Sequence, residues 1–193
     1  MGAVPHFITI KTTSGTGNWM TYHQGMGADK AMFLDLNIAV ESSSFYQETP
    51  TSTLITLNDH GNVNGSGKTH LAYLFAPIQG FSKFGEYTGN GNAYGPFVYT
   101  GFKPAWILFK RSDATENWFL FDSTRDTFNP NNDRLLPDLS NAESESEELD
   151  FLSNGFKIRG SSSAYNTDDG VYVYAAFAEH PFVTSGGVPA TAR

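Results

Sequence analysis

The sequence predicts an all-β protein, an antiparallel β-sandwich built from two internal repeats. Three observations predict it. Aromatic residues reach 15% while charged residues stop at 17%, so a core is available but few positions are committed to solvent. The chain carries 19 Gly and 9 Pro, which suits short strands and many turns better than helices, whose favoured residues are Ala, Leu, Glu and Lys. Finally, the chain repeats itself.

The repeat starts where residues 5–11 (PHFITIK) align with residues 104–110 (PAWILFK), an offset of 99 that persists through Asn18-Trp19 and Asn117-Trp118. After a three-residue insertion the offset becomes 102. Leu34 then meets Leu136, Glu41 meets Glu143, Asn64 meets Asn166, and Phe75-Ala76 meets Phe177-Ala178. The order of matched pieces is the same in both halves. The predicted units are residues 1–79 and residues 80–193.

Each unit opens on the Pro-x-x-Ile-x-x-Lys strand, turns at residues 14–17 or 112–116, and returns through an aromatic strand at 19–22 or 118–121. That pair reads as a hairpin. Residues 53–57 and 155–159 read as further strands. The closing runs, 69–76 and 171–178, are almost continuously apolar, as expected of central strands buried on both faces. Residues 29–40 fit a helical period, but the matching stretch holds Pro130 and Pro137, so a helix is discounted. Residues 80–95 read as a strand and a wide turn leading into residues 97–102. Nothing comparable precedes Pro5. The first unit therefore lacks its opening strands, and its edge awaits the second unit, another chain or upstream sequence.

A net charge of −8 argues against nucleic-acid binding, which neutralises phosphates with Lys and Arg, and against a polybasic membrane anchor. No apolar run approaches the ~20 residues of a membrane-spanning helix, and residues 1–5 lack the marks of a signal peptide. The absence of Cys removes disulfides and thiol chemistry.

Residues 80–91 (GFSKFGEYTGNG), 95–104 (GPFVYTGFKP), 151–157 (FLSNGFK), 176–182 (AFAEHPF) and 187–193 (GVPATAR) together resemble a domain of unknown function from tailed, often marine, phages. That domain occurs in tail-fibre and other virion proteins, commonly beside lectin-like or SPRY-like domains. The resemblance covers essentially the whole chain. It implies a sandwich of jelly-roll or concanavalin-like type and a virion protein, assembled in the host cytoplasm and exposed on the particle. It also implies other virion proteins and host-surface glycan as partners, and a homo-oligomer, with a trimer favoured by analogy with fibres. Members usually continue upstream, which points to a C-terminal piece of a longer fibre. The resemblance supplies no catalytic residues.

Residues 61–69 imitate a phosphate-binding loop, but Asn62 stands where Gly is required and a strand, not a helix, should follow. Glu148 and Asp150 share a strand face as in retaining glycosidases of concanavalin-like folds. Leu152 and Ser153 stand where the proton donor belongs, so catalysis is not expected. The run Glu143, Glu145, Glu147, Glu148 and Asp150 reads instead as a solvated acidic loop. That run, with Asp168 and Asp169, offers oxygen ligands for a structural calcium. The His residues have no zinc spacing. Trp19 and Trp118, equivalent in the two units, read as core. Loop aromatics beside amides are the sugar-contact candidates: Tyr46, Tyr87, Tyr94 and Tyr165 with Asn90, Asn92 and Asn166. Rings stack on a pyranose face while amides both donate to and accept from hydroxyls. The expected function is a fibre or spike module binding host glycan or protein. A purely structural decoration, shaft or adaptor protein is the alternative, and a glycan depolymerase the second.

Overall fold

Period-two alternation of apolar residues over short runs builds antiparallel sheets here, and turn chemistry separates the runs. The structure, a computed structural model, describes residues 2–181, the side chains of residues 146–148 excepted. It is nearly all β and antiparallel. Strands β1 (Phe7–Thr12), β2 (Met20–His23), β3 (Lys30–Phe33), β4 (Glu41–Ser42) and β5 (His70–Phe75) form one sheet in the order β4-β3-β2-β1-β5. Eight strands form the second: β6 (Ser82–Thr88), β7 (Phe97–Tyr99), β8 (Pro104–Arg111), β9 (Trp118–Asp122), β10 (Asn131–Leu135), β11 (Ser144–Leu152), β12 (Gly155–Ile158) and β13 (Val171–Ala178). Their order is β6-β13-β8-β9-β10-β11-β12-β7. This larger sheet curls into a nearly closed barrel. Across its seam the Lys83 ammonium, on β6, donates to the Tyr99 carbonyl of β7 at 2.7 Å.

Alternation assigns each strand face. In β8, Ile107 and Phe109 point into the barrel, where they meet Phe119, Phe121, Phe156 and Tyr172. Trp106 and Leu108, of opposite parity, point at the smaller sheet together with Trp118, Val173, Ala175 and Phe177. The smaller sheet answers with Phe7, Met32 and Phe75. Its other face (Ile8, Ile10, Met20, Tyr22) is covered by the irregular segment carrying Tyr46, Ile55, Leu57 and Val63.

Polar groups stitch the layers together. The indole N–H of Trp118 donates to the Phe33 carbonyl at 2.8 Å. Lys110, fully buried, donates to the carbonyls of Asn37, Arg111 and Glu116 at 3.2, 3.2 and 2.7 Å. Burial lowers its pKa to about 8. His23, on β2, bonds the Tyr174 carbonyl on β13 at 3.1 Å. A carbonyl only accepts, so Nε2 carries the proton, leaving Nδ1 to accept from the Gly25 N–H at 3.1 Å.

Corresponding strands pair alike. Ile8 faces Tyr22 as Ile107 faces Phe121, and Phe7 faces Phe75 as Trp106 faces Phe177. The Trp19 N–H bonds the Asp35 carboxylate and the Trp118 N–H that of Asp138. Pairing of Lys30 with Ser42 and of Asp133 with Glu145 makes the insertion four residues at β3 and β4, falling back to three by β5. At that offset Leu34 lies level with Pro137 and Glu41 with Ser144, one residue on from Leu136 and Glu143.

Several expectations need correction. Residues 53–57 are not a strand; only an isolated bridge joins Leu57 to Tyr46. The acidic run is not a loop from residue 144 onward but strand β11, whose Leu149 and Phe151 fill the barrel. Strand β13 is central and buried as expected, whereas β5 is an edge strand among the described strands, with exposed positions at its middle. Residues 30–33 are strand β3 and no helix forms over residues 29–40, in keeping with the discounted helix.

Candidate functional site: an aromatic cleft beside an open sheet edge

Where the two sheets meet at β5 they leave an apolar cleft of about 280 Å³. Trp19 and Tyr73, their rings 24° from parallel at 6.3 Å, form one side. Trp106 and Phe177, packed edge to face at 5.4 Å, form the other, with Leu34 and Pro137 among the residues that close it. Lys11 lies over the Trp19 ring, 5.7 Å from its centroid. The surface lining the cleft is apolar: Thr9, Tyr73, Trp19 and Trp106 carry polar atoms but turn none of them to it. Its volume falls just under the ~300–1,000 Å³ of small-molecule sites, and its walls suit a single large apolar group.

Strand β5 borders this cleft and pairs only with β1 among the described strands. Leu71 and Tyr73 are 44% and 45% exposed, and Ala72 between them is exposed too. The Thr13 N–H bonds the Thr69 carbonyl, which fixes the phase of the ladder. Residues 71, 73 and 75 thus exchange bonds with β1, while the N–H and C=O groups of His70, Ala72 and Leu74 point outward. No Lys, Pro or acidic residue blunts this edge.

The residues singled out from sequence separate into two groups. Tyr46, Tyr87 and Tyr165 are buried, Tyr46 beneath the smaller sheet and the other two inside the barrel, where the Tyr87 hydroxyl donates to the Tyr165 carbonyl at 3.0 Å. None of the three presents a ring face to solvent. Asn166 is fully buried and holds the loop of residues 89–95 in place. Its side chain accepts from the Asn90 N–H at 2.8 Å and donates to the carbonyls of Asn92 and Gly160 at 2.7 and 2.8 Å. Asn90 and Asn92 are exposed, but each side-chain oxygen caps an amide two residues onward and Asn90 also donates to the Tyr94 carbonyl. Tyr94, 76% exposed, is the aromatic of that set open to a ligand. Replacing Asn166 with Ala removes the three hydrogen bonds of a buried side chain and should cost about 1–3 kcal/mol. Faster amide exchange in residues 90–95, with the β8 amides unaffected, is the expected signature.

Asp168 and Asp169 form a tight turn under that loop, with Asp169 at a positive φ of 58° and its N–H bonded to the Gly89 carbonyl. Among the described residues no three His, Cys, Asp or Glu side chains gather as a metal site. Asp150 sits on the outer face of the barrel, where Arg159 binds its carboxylate at 2.7 Å. Its proposed strand partner Glu148, and Glu147, have side chains outside the described residues.

Sequence reasoning passed over Tyr73 and Trp106 because both sit in apolar runs that read as core. It took Trp19 and Trp118 as equivalent core residues. Trp118 is 1% exposed, while Trp19 lines the cleft. Exposed Phe128, at the tip of the β9–β10 loop, carried no signal in its neighbourhood.

The fold and site define a class: a nearly all-β antiparallel protein with a barrel-like sheet and an apolar cleft at an open edge. Residues 1–181 match the family described as Domain of unknown function (DUF7483), and the chain belongs to that family. No curated protein and no solved structure matches it.

Proposed function

We propose that this chain is a non-catalytic binding module of a phage particle, a fibre or spike domain that engages its partner through the cleft at β5. The observation that carries the reading is the coincidence of an aromatic, nearly donor-free cleft with an unblunted strand edge. Such a surface suits protein better than sugar, because sugar recognition needs polar groups converging on hydroxyls. The virion setting draws its support from the resemblance in residues 80–104 and 151–157 rather than from any feature of the cleft.

The matched registers support reading the two halves as copies of one folding unit, packed through the same face: Phe7 and Phe75 from one copy, Trp106 and Phe177 from the other. This packing supports the sandwich description, and the curled larger sheet favours a barrel variant of it over a jelly roll. A homo-oligomer, a trimer on a fibre axis, belongs to the same proposal, as does a calcium-free structure. Light scattering with and without EDTA checks both.

Exposed Tyr94 favours a second, glycan-reading surface on the 89–95 loop. One experiment separates the readings. Antibody fragments raised against the chain should label purified particles and block adsorption to host cells. Labelling without a block would favour the structural alternative. Particles that carry no antigen would overturn the virion assignment.

A further inference from the structure

We infer that the β5 edge is a strand-acceptor site, and that its occupant is an extended segment of a partner polypeptide carrying the chemistry of β6. The inference rests on the reading of the chain as a binding module and names its partner class. The template lies within the molecule. Strand β13, which corresponds to β5 at an offset of 102, has β1's counterpart β8 on one side and β6 on the other. Strand β6 pairs antiparallel with β13 over seven residues, Ser82 opposite Phe177 through Thr88 opposite Val171. The Gly89 N–H bonds the Gly170 carbonyl, so Tyr172, Tyr174 and Ala176 exchange the ladder bonds with β6. Their counterparts on β5 are His70, Ala72 and Leu74, the residues whose backbone groups point outward. The edge thus displays the same donors and acceptors in the same phase.

The cleft supplies a second, independent match. Phe84 of β6 lies opposite Ala175 and packs on Phe7, Phe75 and Phe177 at 6.1, 6.5 and 5.9 Å between ring centroids. Exchanging each residue for its counterpart gives Trp106, Phe177 and Phe75, with Tyr73 in place of Ala175. All four line the cleft. A strand added to β5 in the phase of β6 therefore delivers the residue opposite Tyr73 into the apolar space between the sheets. Main-chain bonds supply affinity and that one side chain supplies selectivity, the division of labour in β-strand addition. The partner segment is extended, free of Pro at its ladder-bonding positions, and apolar at the residue opposite Tyr73.

The probe is a synthetic peptide of residues 80–90 (GFSKFGEYTGN), titrated into the intact chain. We expect saturable binding, slowed exchange at the alternate amides of His70, Ala72 and Leu74, and a change in Trp19 fluorescence. Phe84→Ala in the peptide should weaken binding at least about tenfold. In the protein, Ala72→Pro removes an outward N–H without touching the β1 ladder, and Tyr73→Lys places charge at the cleft mouth; each should do the same. Tyr73→Lys changes an exposed side chain and keeps the test decisive if Ala72→Pro fails to fold. No binding, protection at β6 and β7 instead of β5, or binding indifferent to Tyr73→Lys would overturn the inference. Because the readout needs neither particles nor host cells, failure here is distinguishable from failure of the virion assignment.

Discussion

Trp118→Ala is expected to cost about 3–5 kcal/mol, whereas the same truncation at its counterpart Trp19 should cost about 1 kcal/mol. Trp118 opens β9 and Trp19 directly precedes β2, and both have a main-chain N–H bonded to an aspartate. Their side chains meet different surroundings. The Trp118 ring is enclosed between the sheets, and its indole N–H donates to the Phe33 carbonyl across them. Truncation leaves a large cavity and removes the shorter of the two hydrogen bonds that the Phe33 carbonyl accepts, the other coming from the Leu36 N–H. Trp19 forms one wall of an open cleft, so its removal widens a space that solvent already reaches. Urea unfolding of the two variants makes the comparison. Equal losses would mean that the inter-sheet contact is symmetric in energy, contrary to the packing described.

Lowering the pH from about 6.5 to about 4 should cost roughly 3 kcal/mol through His23 alone. Burial lowers the pKa of this imidazole to about 4, with the Tyr174 carbonyl opposing the shift and nearby His6 adding to it. The geometry supplies the reason. Nδ1 already accepts from the Gly25 N–H, so a second proton there replaces an attraction with a clash of donors. Between the two pKa values the unfolded chain binds a proton that the folded chain refuses. Stability is therefore full above pH 6.5 and falls as the pH drops toward 4. His6, also lowered by burial, acts in the same direction. Glu86, which packs against the Gly25 turn and has its pKa raised by burial, acts in the opposite direction and offsets part of the loss. Denaturant midpoints across that range should slope downward in the native sequence and flatten in His23→Gln. An unchanged slope in His23→Gln would assign the acid sensitivity to other groups. Since His23 joins β2 to β13, the loss should appear first as loosening between the sheets.

The acidic run shows how local composition misleads. Residues 143–150 hold five carboxylates, and like charge usually means a solvated loop. The alternate residues Leu149 and Phe151 nevertheless need burial, and the barrel provides it, while Asp150, on the opposite face of β11 and itself buried, takes Arg159 as its counter-ion. The buried members of the candidate sugar-contact set, Tyr46, Tyr87, Tyr165 and Asn166, misled in a related way. Tyr87 and Tyr165 stand beside Gly and Asn in sequence, yet they pack into the barrel, because a ring near a turn still follows the parity of its strand or the fit of its helix. Asn166 looked like a ligand contact and is a buried anchor, since a side chain with both donors and an acceptor can secure a loop as well as bind a sugar.

Sequence by itself determined the all-β class and most strand positions. Those features depend on period-two alternation and turn residues, which act over a few positions. Tertiary structure alone decided which equivalent element is core and which is edge. Strands β5 and β13 are both apolar runs, but β13 has β6 beside it and β5 does not. Trp19 and Trp118 occupy matching positions, but one is enclosed and the other lines a cleft. Burial is set by what packs against a residue from far along the chain, and two similar local patterns cannot encode that difference.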